Sequence, residues 1–557
     1  MKIRLLELIK VLAVITLSGS TATALIQGTP HDLTAVAGGN TCSFCHTPHG
    51  ALAGTPLWSH RLSTAVYKIY QSSSLEADIG QPTGSSKLCL SCHDGTVALT
   101  ETISGNSIGR APAKREPSTY IAPGAANLGT DLSDDHPISF VYSVGLSVED
   151  VQIRPPSVLP EQLKLDRSSE LQCTTCHDPH DNRYGNFLVM SNRRSRMCVS
   201  CHDLSGWIFS SHENSTALVF GSGNLYLQSS EYGTLADNGC LSCHRPHSAA
   251  GHERLLHFAR LEDNCLSCHD GSVAQTNLKI DLSKLSRHDV VRYEGIHDLK
   301  ESPIAAARHV ECVDCHNPHA TGDALAQAPV VPGAMRGISG VTASGGVTEQ
   351  VQYEYEVCFK CHGDNPSRIE STITRQITQT NTRLEFDPSG PSFHPVVSPG
   401  VNQNVPSLRP PLTVTTIVYC TDCHNTDGAS GTKGPHGSNY PNLLAYRYET
   451  YDFTQESSFS YELCYRCHSR NSILNDESFP EHAEHLKEEI PCSACHDAHG
   501  ISSSQGTSLN NSHLINFDRT IVRPDPTTGR LEFQDLGVFR GRCYLSCHNQ
   551  NHSPLSY

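Results

Sequence analysis

What most constrains this 557-residue chain is the placing of its 24 cysteines. They fall into twelve pairs with none left over, and eleven of the pairs read Cys-x-x-Cys-His. These are Cys42 and Cys45, Cys89 and Cys92, Cys173 and Cys176, Cys198 and Cys201, Cys240 and Cys243, Cys265 and Cys268, Cys312 and Cys315, Cys358 and Cys361, Cys420 and Cys423, Cys464 and Cys467, and Cys492 and Cys495. The twelfth, Cys543-Tyr-Leu-Ser-Cys547, has one extra residue between the thiols but is still followed by histidine. An even cysteine count in an exported chain ordinarily means disulfides. Disulfides, however, make no demand on the residue after the second thiol, and here histidine follows twelve times in twelve although the chain holds only 32 histidines. Structural zinc draws four ligands from two knuckles and likewise needs no histidine directly behind each one.

The spacing suits c-type haem. Two sulfurs about one helical turn apart reach the two vinyl groups on one porphyrin edge, and the adjacent histidine rises over the ring face to the iron. The proximal ligands are then His46, His93, His177, His202, His244, His269, His316, His362, His424, His468, His496 and His548. Twelve covalently attached haem c groups are expected, the Cys543/Cys547 site included.

A second set of histidines follows from reach. His49, His180, His247, His319 and His499 each stand three residues after a proximal histidine, in CHTPH, CHDPH, CHRPH, CHNPH and CHDAH. Trans ligands on one iron hold their Cα atoms roughly 12 Å apart, given metal–nitrogen bonds of about 2 Å. Three residues span at most about 10–11 Å extended and about 4.5 Å in a helix. Each trailing histidine must therefore serve a neighbouring haem; for His180 the site at Cys198 and Cys201 is the expected one. Proline at 48, 179, 246 and 318 turns the chain away from helix. In the fifth copy an insertion delays the trailing residue to His436. Upstream of each pair stands one more histidine: His31, His136, His212, His288, His394 and His482. His297 and His309 compete with His288, and His485 with His482. His60, His252, His257, His513 and His552 are read as spares or substitutes.

The motifs thus group two by two. The expected organisation is a signal peptide at 1–24, then haem pairs at 25–135, 136–203, 204–287, 288–380, 381–475 and 476–557. The leader has Lys2, Arg4 and Lys10 ahead of an apolar run and ends in Ala22-Thr23-Ala24, the pattern of a cleaved export signal. No other stretch is long and apolar enough to span a membrane. The net charge of −16 argues against nucleic acid as a partner. With 37% hydrophobic residues, 41 Gly and 32 Pro, periodicity is weak. The expected fold is organised by haem, mostly coil with short helices and little strand, with haem faces taking the place of a core.

The doubled motifs CSFCHTPHG with LCLSCHDGTVA, and HVECVDCHNPHA with YEVCFKCHGDNP, resemble those of the multihaem c-type cytochromes with doubled CXXCH motifs. The resemblance implies largely bis-histidine haems and electron transfer in the periplasm or at the cell surface of anaerobic, often metal-respiring bacteria. It implies redox proteins as partners, other cytochromes or an outer-membrane conduit, with extracellular metal oxides as a further acceptor. An electron carrier and not an enzyme is expected, since saturated iron leaves no position for substrate. A reductase with one open haem is the alternative. A filament subunit is another, with His31, His513 or His552 serving as an intermolecular ligand.

Overall fold

Short helices form at many of the cysteine motifs, because each motif needs only one helical turn. A computed structural model describes residues 26–34, 41–51, 55–101, 103, 120–292, 301–302, 304–366, 371–428 and 432–557. The signal-peptide reading and His297 lie outside them. Four-residue helices coincide with the motifs at Cys173–Cys176, Cys198–Cys201, Cys312–Cys315 and Cys492–Cys495. Two longer ones end on a motif, α1 (Gly84–His93) and α2 (Glu354–His362). Several turns cap themselves. The residue before the second cysteine reaches back to the N-cap amide, as when Gln172 N donates to Thr175 Oγ1 at 3.0 Å and Glu311 N to Asp314 Oδ2 at 2.7 Å. The turns stop because the following histidine is already extended, with φ/ψ of −121°/134° at His177 and −130°/129° at His316.

The chain forms two compact units, Met1–Leu204 with Asp237–Ala259, and Ser205–Ala236 with Arg260–Tyr557. The first holds five motifs and the second seven. Helix amounts to 23% and strand to 13%, mostly two-residue bridges such as Phe140–Val141 with Glu170–Leu171. Coil with short helices is therefore the fold.

The second unit also contains helix α3 (His482–Lys487) and a three-stranded antiparallel sheet of β1 (Glu532–Asp535), β2 (Gly541–Cys547) and β3 (Gln550–Ser556), with β2 central. Apolar clusters are small and lean on motif cysteines. Phe517, Val522, Phe533 and Leu545 pack with Cys495 and Cys543; Val341, Tyr355, Phe359 and Phe393 pack with Cys420. Among the described residues no helix is long and apolar enough to cross a membrane.

Candidate cofactor sites

At nine motifs outside α1 and α2 the first cysteine carbonyl accepts from the histidine amide four residues on. Examples are His46 N to Cys42 O at 3.0 Å, His177 N to Cys173 O at 2.9 Å and His496 N to Cys492 O at 2.9 Å. This α-turn puts both sulfurs on one side and projects the imidazole beside them. A carbonyl further along the chain then holds Nδ1. His46 binds Pro56 O at 2.6 Å, His93 Ala126 O at 2.7 Å, His177 Asn186 O, His244 Arg254 O, His316 Ala334 O and His424 Asn442 O, each at 2.8 Å. With Nδ1 engaged, Nε2 is left to face a metal.

Among the described residues, ten motif histidines face a second imidazole. In the first unit the ring centroids of His31 and His93 are 6.1 Å apart, His46 and His180 6.0 Å, His177 and His247 6.2 Å, and His136 and His202 6.3 Å. In the second, His212 and His269 are 6.2 Å apart, His288 and His362 6.3 Å, His316 and His436 6.0 Å, His394 and His468 6.5 Å, His424 and His499 6.0 Å, and His482 and His496 6.2 Å. An imidazole centroid lies about 1.1 Å from Nε2, so two rings bound at about 2.0 Å on opposite sides of one metal have centroids about 6.2 Å apart. The ten spacings fit that value. Burial, and then repulsion from the facing histidine, lowers His202, His362 and His468 to about 4 and His482 to about 3, which keeps these rings in the neutral, ligating form.

The pairing follows a rule. A trailing histidine reaches back to the first motif of the preceding pair: His180 to His46, His247 to His177, His436 to His316 and His499 to His424. An upstream histidine serves the second motif of its own pair, except His482, which faces the first, His496. His180 thus differs from expectation, since His202 is taken by His136 and the long-range register brings His46 instead. The residue before the trailing histidine ties the two sets together. Pro179 O lies 3.3 Å from His31 Nδ1, Pro318 O 2.9 Å from His212 Nδ1 and Ala498 O 2.5 Å from His394 Nδ1, while Pro246 O accepts from His136 N at 2.9 Å. The carbonyl is what matters, so Ala498 replaces proline without changing the contact. Carboxylates hold two distal rings, Asp135 Oδ1 at 3.0 Å from His247 Nδ1 and Glu385 Oε2 at 3.0 Å from His499 Nδ1. Neither acid is marked by any local motif.

The motifs also stand in sequence order. Cys45 neighbours Cys92, Cys89 neighbours Cys173, Cys176 neighbours Cys201 and Cys198 neighbours Cys240. In the second unit Cys315 neighbours Cys361, Cys358 neighbours Cys420, Cys423 neighbours Cys467, Cys464 neighbours Cys492 and Cys495 neighbours Cys543. A cavity of about 1990 Å³ runs along this second series, from Cys358 to Cys547, with the paired histidines in its walls. A space of that size beside reactive sulfurs and facing imidazoles fits several large flat cofactors, and haem matches the donor set.

The other expected residues have the following surroundings. His49 is exposed and, like His548, faces no second histidine among the described residues. His548 Nε2 lies 2.9 Å from Asp452 Oδ1 and its ring stacks on Phe453 at 4.6 Å. His319 packs against Trp207 at 6.2 Å. His309 sits beside Glu301 and Asp314 at 3.2 and 3.7 Å. Of the residues read as spares, His60 binds Glu101 O at 3.0 Å and His257 Leu241 O at 2.8 Å, whereas His552 faces His485 at 6.4 Å.

The family described as the doubled CXXCH motif matches residues 168–205, 233–274 and 413–472. No curated protein matches the chain. Three separate stretches, together about a quarter of the chain, are thus similar to the doubled CXXCH motif of multihaem c-type cytochromes, and ten motif histidines of the chain face a second histidine at the spacing two ligands of one metal would have.

Proposed function

We propose that the chain is an exported dodecahaem c-type cytochrome that carries several electrons at once, in the periplasm or at the cell surface, in anaerobic respiration. When bound, haem supplies one-electron Fe(III)/Fe(II) chemistry. The protein's part is to fix spacing, exclude substrate and set potentials. Cys89 and Cys173, Cys198 and Cys240, Cys358 and Cys420, and Cys464 and Cys492 lie within hydrogen-bond reach of one another, so groups attached at these successive motifs are held close. The observation that carries the reading is the set of ten histidine pairs at 6.0–6.5 Å. At these ten sites two imidazoles per iron leave no position for a substrate, which favours a carrier over an enzyme. The acidic surface suits basic or mixed-charge redox proteins as partners. Spectroscopy of the purified protein tests this: ferric haem entirely low spin and no carbon monoxide binding on reduction are expected. A high-spin ferric haem that binds carbon monoxide would speak for a reductase instead.

A further inference from the structure

The extra residue in Cys543-Tyr-Leu-Ser-Cys547 changes more than a loop length. This segment is the central strand β2 and not a helical turn, so the geometry that carries the following histidine over the sulfurs elsewhere is lost. In an extended strand alternate residues share a face. Cys543, Leu545 and Cys547 therefore point one way, and His552 of β3, paired in register with Leu545, points with them. His548 sits in the turn beyond the strand with φ of 47°. Its Nε2, the atom a haem iron would need, is given to Asp452.

We propose that the haem attached at Cys543 and Cys547 takes His485 and His552 as its axial pair, and that His548 is not an iron ligand. The centroid spacing of His485 and His552, 6.4 Å, lies within the range of the ten other pairs. His485 Nδ1 is held by Glu481 O at 2.6 Å, the same arrangement that frees Nε2 at the proximal histidines. Both rings and both sulfurs line the one cavity. Helix α3 then serves two sites, because His482 and His485 are three residues apart and share a face, the first turned to His496 and the second to His552. This assignment also explains why His482 departs from the rule of the other upstream histidines. It rests on the reading of the chain as a multihaem cytochrome and assigns the ligands of its last site.

The deciding variants leave Cys543, Cys547 and His548 untouched and are made in the exported, haem-loaded full chain. His552→Ala and His485→Ala are each expected to keep the wild-type number of covalent haems by denatured mass and to turn one ferric haem from low to high spin. A fully low-spin spectrum in both would overturn the assignment. His552→Met is the milder companion should the alanine protein fail to accumulate: a low-spin haem with a methionine–iron charge-transfer band and a raised potential is expected, and an unchanged spectrum overturns the proposal. His548→Ala should generate no high-spin haem, and the appearance of one would restore His548 as the ligand. Wild-type protein with eleven haems, lacking the one at Cys543/Cys547, would remove this proposal while leaving the electron-carrier reading intact; few or no covalent haems would remove both.

Discussion

Replacing His180 by alanine tests the backward reach of the trailing histidines. The His180 side chain is 57% exposed and contacts Asp178 at 3.3 Å, so truncation opens no core cavity and its effect falls on coordination. The facing ring is His46, 6.0 Å away, and His46 stays anchored through Pro56 O. The haem at Cys42 and Cys45 should remain attached and lose one axial ligand. No nearby histidine can replace it: His49 is only three residues from His46, a reach of at most about 10–11 Å against the roughly 12 Å required, and His31 is already paired with His93. One haem in twelve, about 8% of the total, should become high spin, with added imidazole restoring the low-spin form. For a one-electron couple each tenfold preference of the lost ligand for ferric iron is worth about 59 mV, so a hundredfold preference raises that potential by about 120 mV. Electron paramagnetic resonance with and without imidazole, together with intact mass, reads the result. An unchanged low-spin signal would reduce His180 to a turn residue, and a high-spin haem at Cys198/Cys201 would refute the pairing rule.

Asp135 is buried against His247 Nδ1, and Asp135→Asn should weaken the donation that stabilises ferric iron, raising the potential of the haem at Cys173/Cys176 by about 60 mV in a redox titration. Glu354 is buried and its carboxyl is pushed up to about 7 by desolvation. The folded state then holds a proton that the unfolded state releases above pH 4.5, so stability falls as pH rises from there to about 7, by about 3 kcal/mol in all; Glu354→Gln should flatten that dependence in denaturant unfolding, and an unchanged slope would contradict it. Arg375 donates to Ser493 O at 2.6 Å, Asn516 O at 2.9 Å and His496 O at 2.9 Å. Arg375→Met should destabilise the protein by about 3–5 kcal/mol, because buried carbonyls lose charged donors, with loss of low-spin character at the His496 haem.

The attachment sites were legible because their chemistry is local: two thiols and a histidine within one helical turn define the site whatever surrounds it. Ten of the twelve expected distal histidines face a motif histidine and were legible by reach and repetition, but the partner of each was not. His180 and His202 are close in sequence, yet register brings His180 to His46, 134 positions earlier. The backbone carbonyls of Pro179, Pro318 and Ala498 that hold Nδ1 have no residue signature at all. Asp135, Glu385 and Arg375 act across long separations with nothing local to mark them. At Cys543 the motif did carry a clue, since its extra residue broke the helical spacing. The outcome, a hairpin that turns His548 away and presents His552, was decided by the pairing of β2 with β3 and lay beyond local spacing.

The central claim is that the cysteines serve covalent haem, two to each group. The most direct measurement is the denatured intact mass of the exported protein, taken with thiol alkylation. Twelve haem increments and no alkylated cysteine are predicted; six haems or fewer, with free thiols among the 24 cysteines, would contradict it.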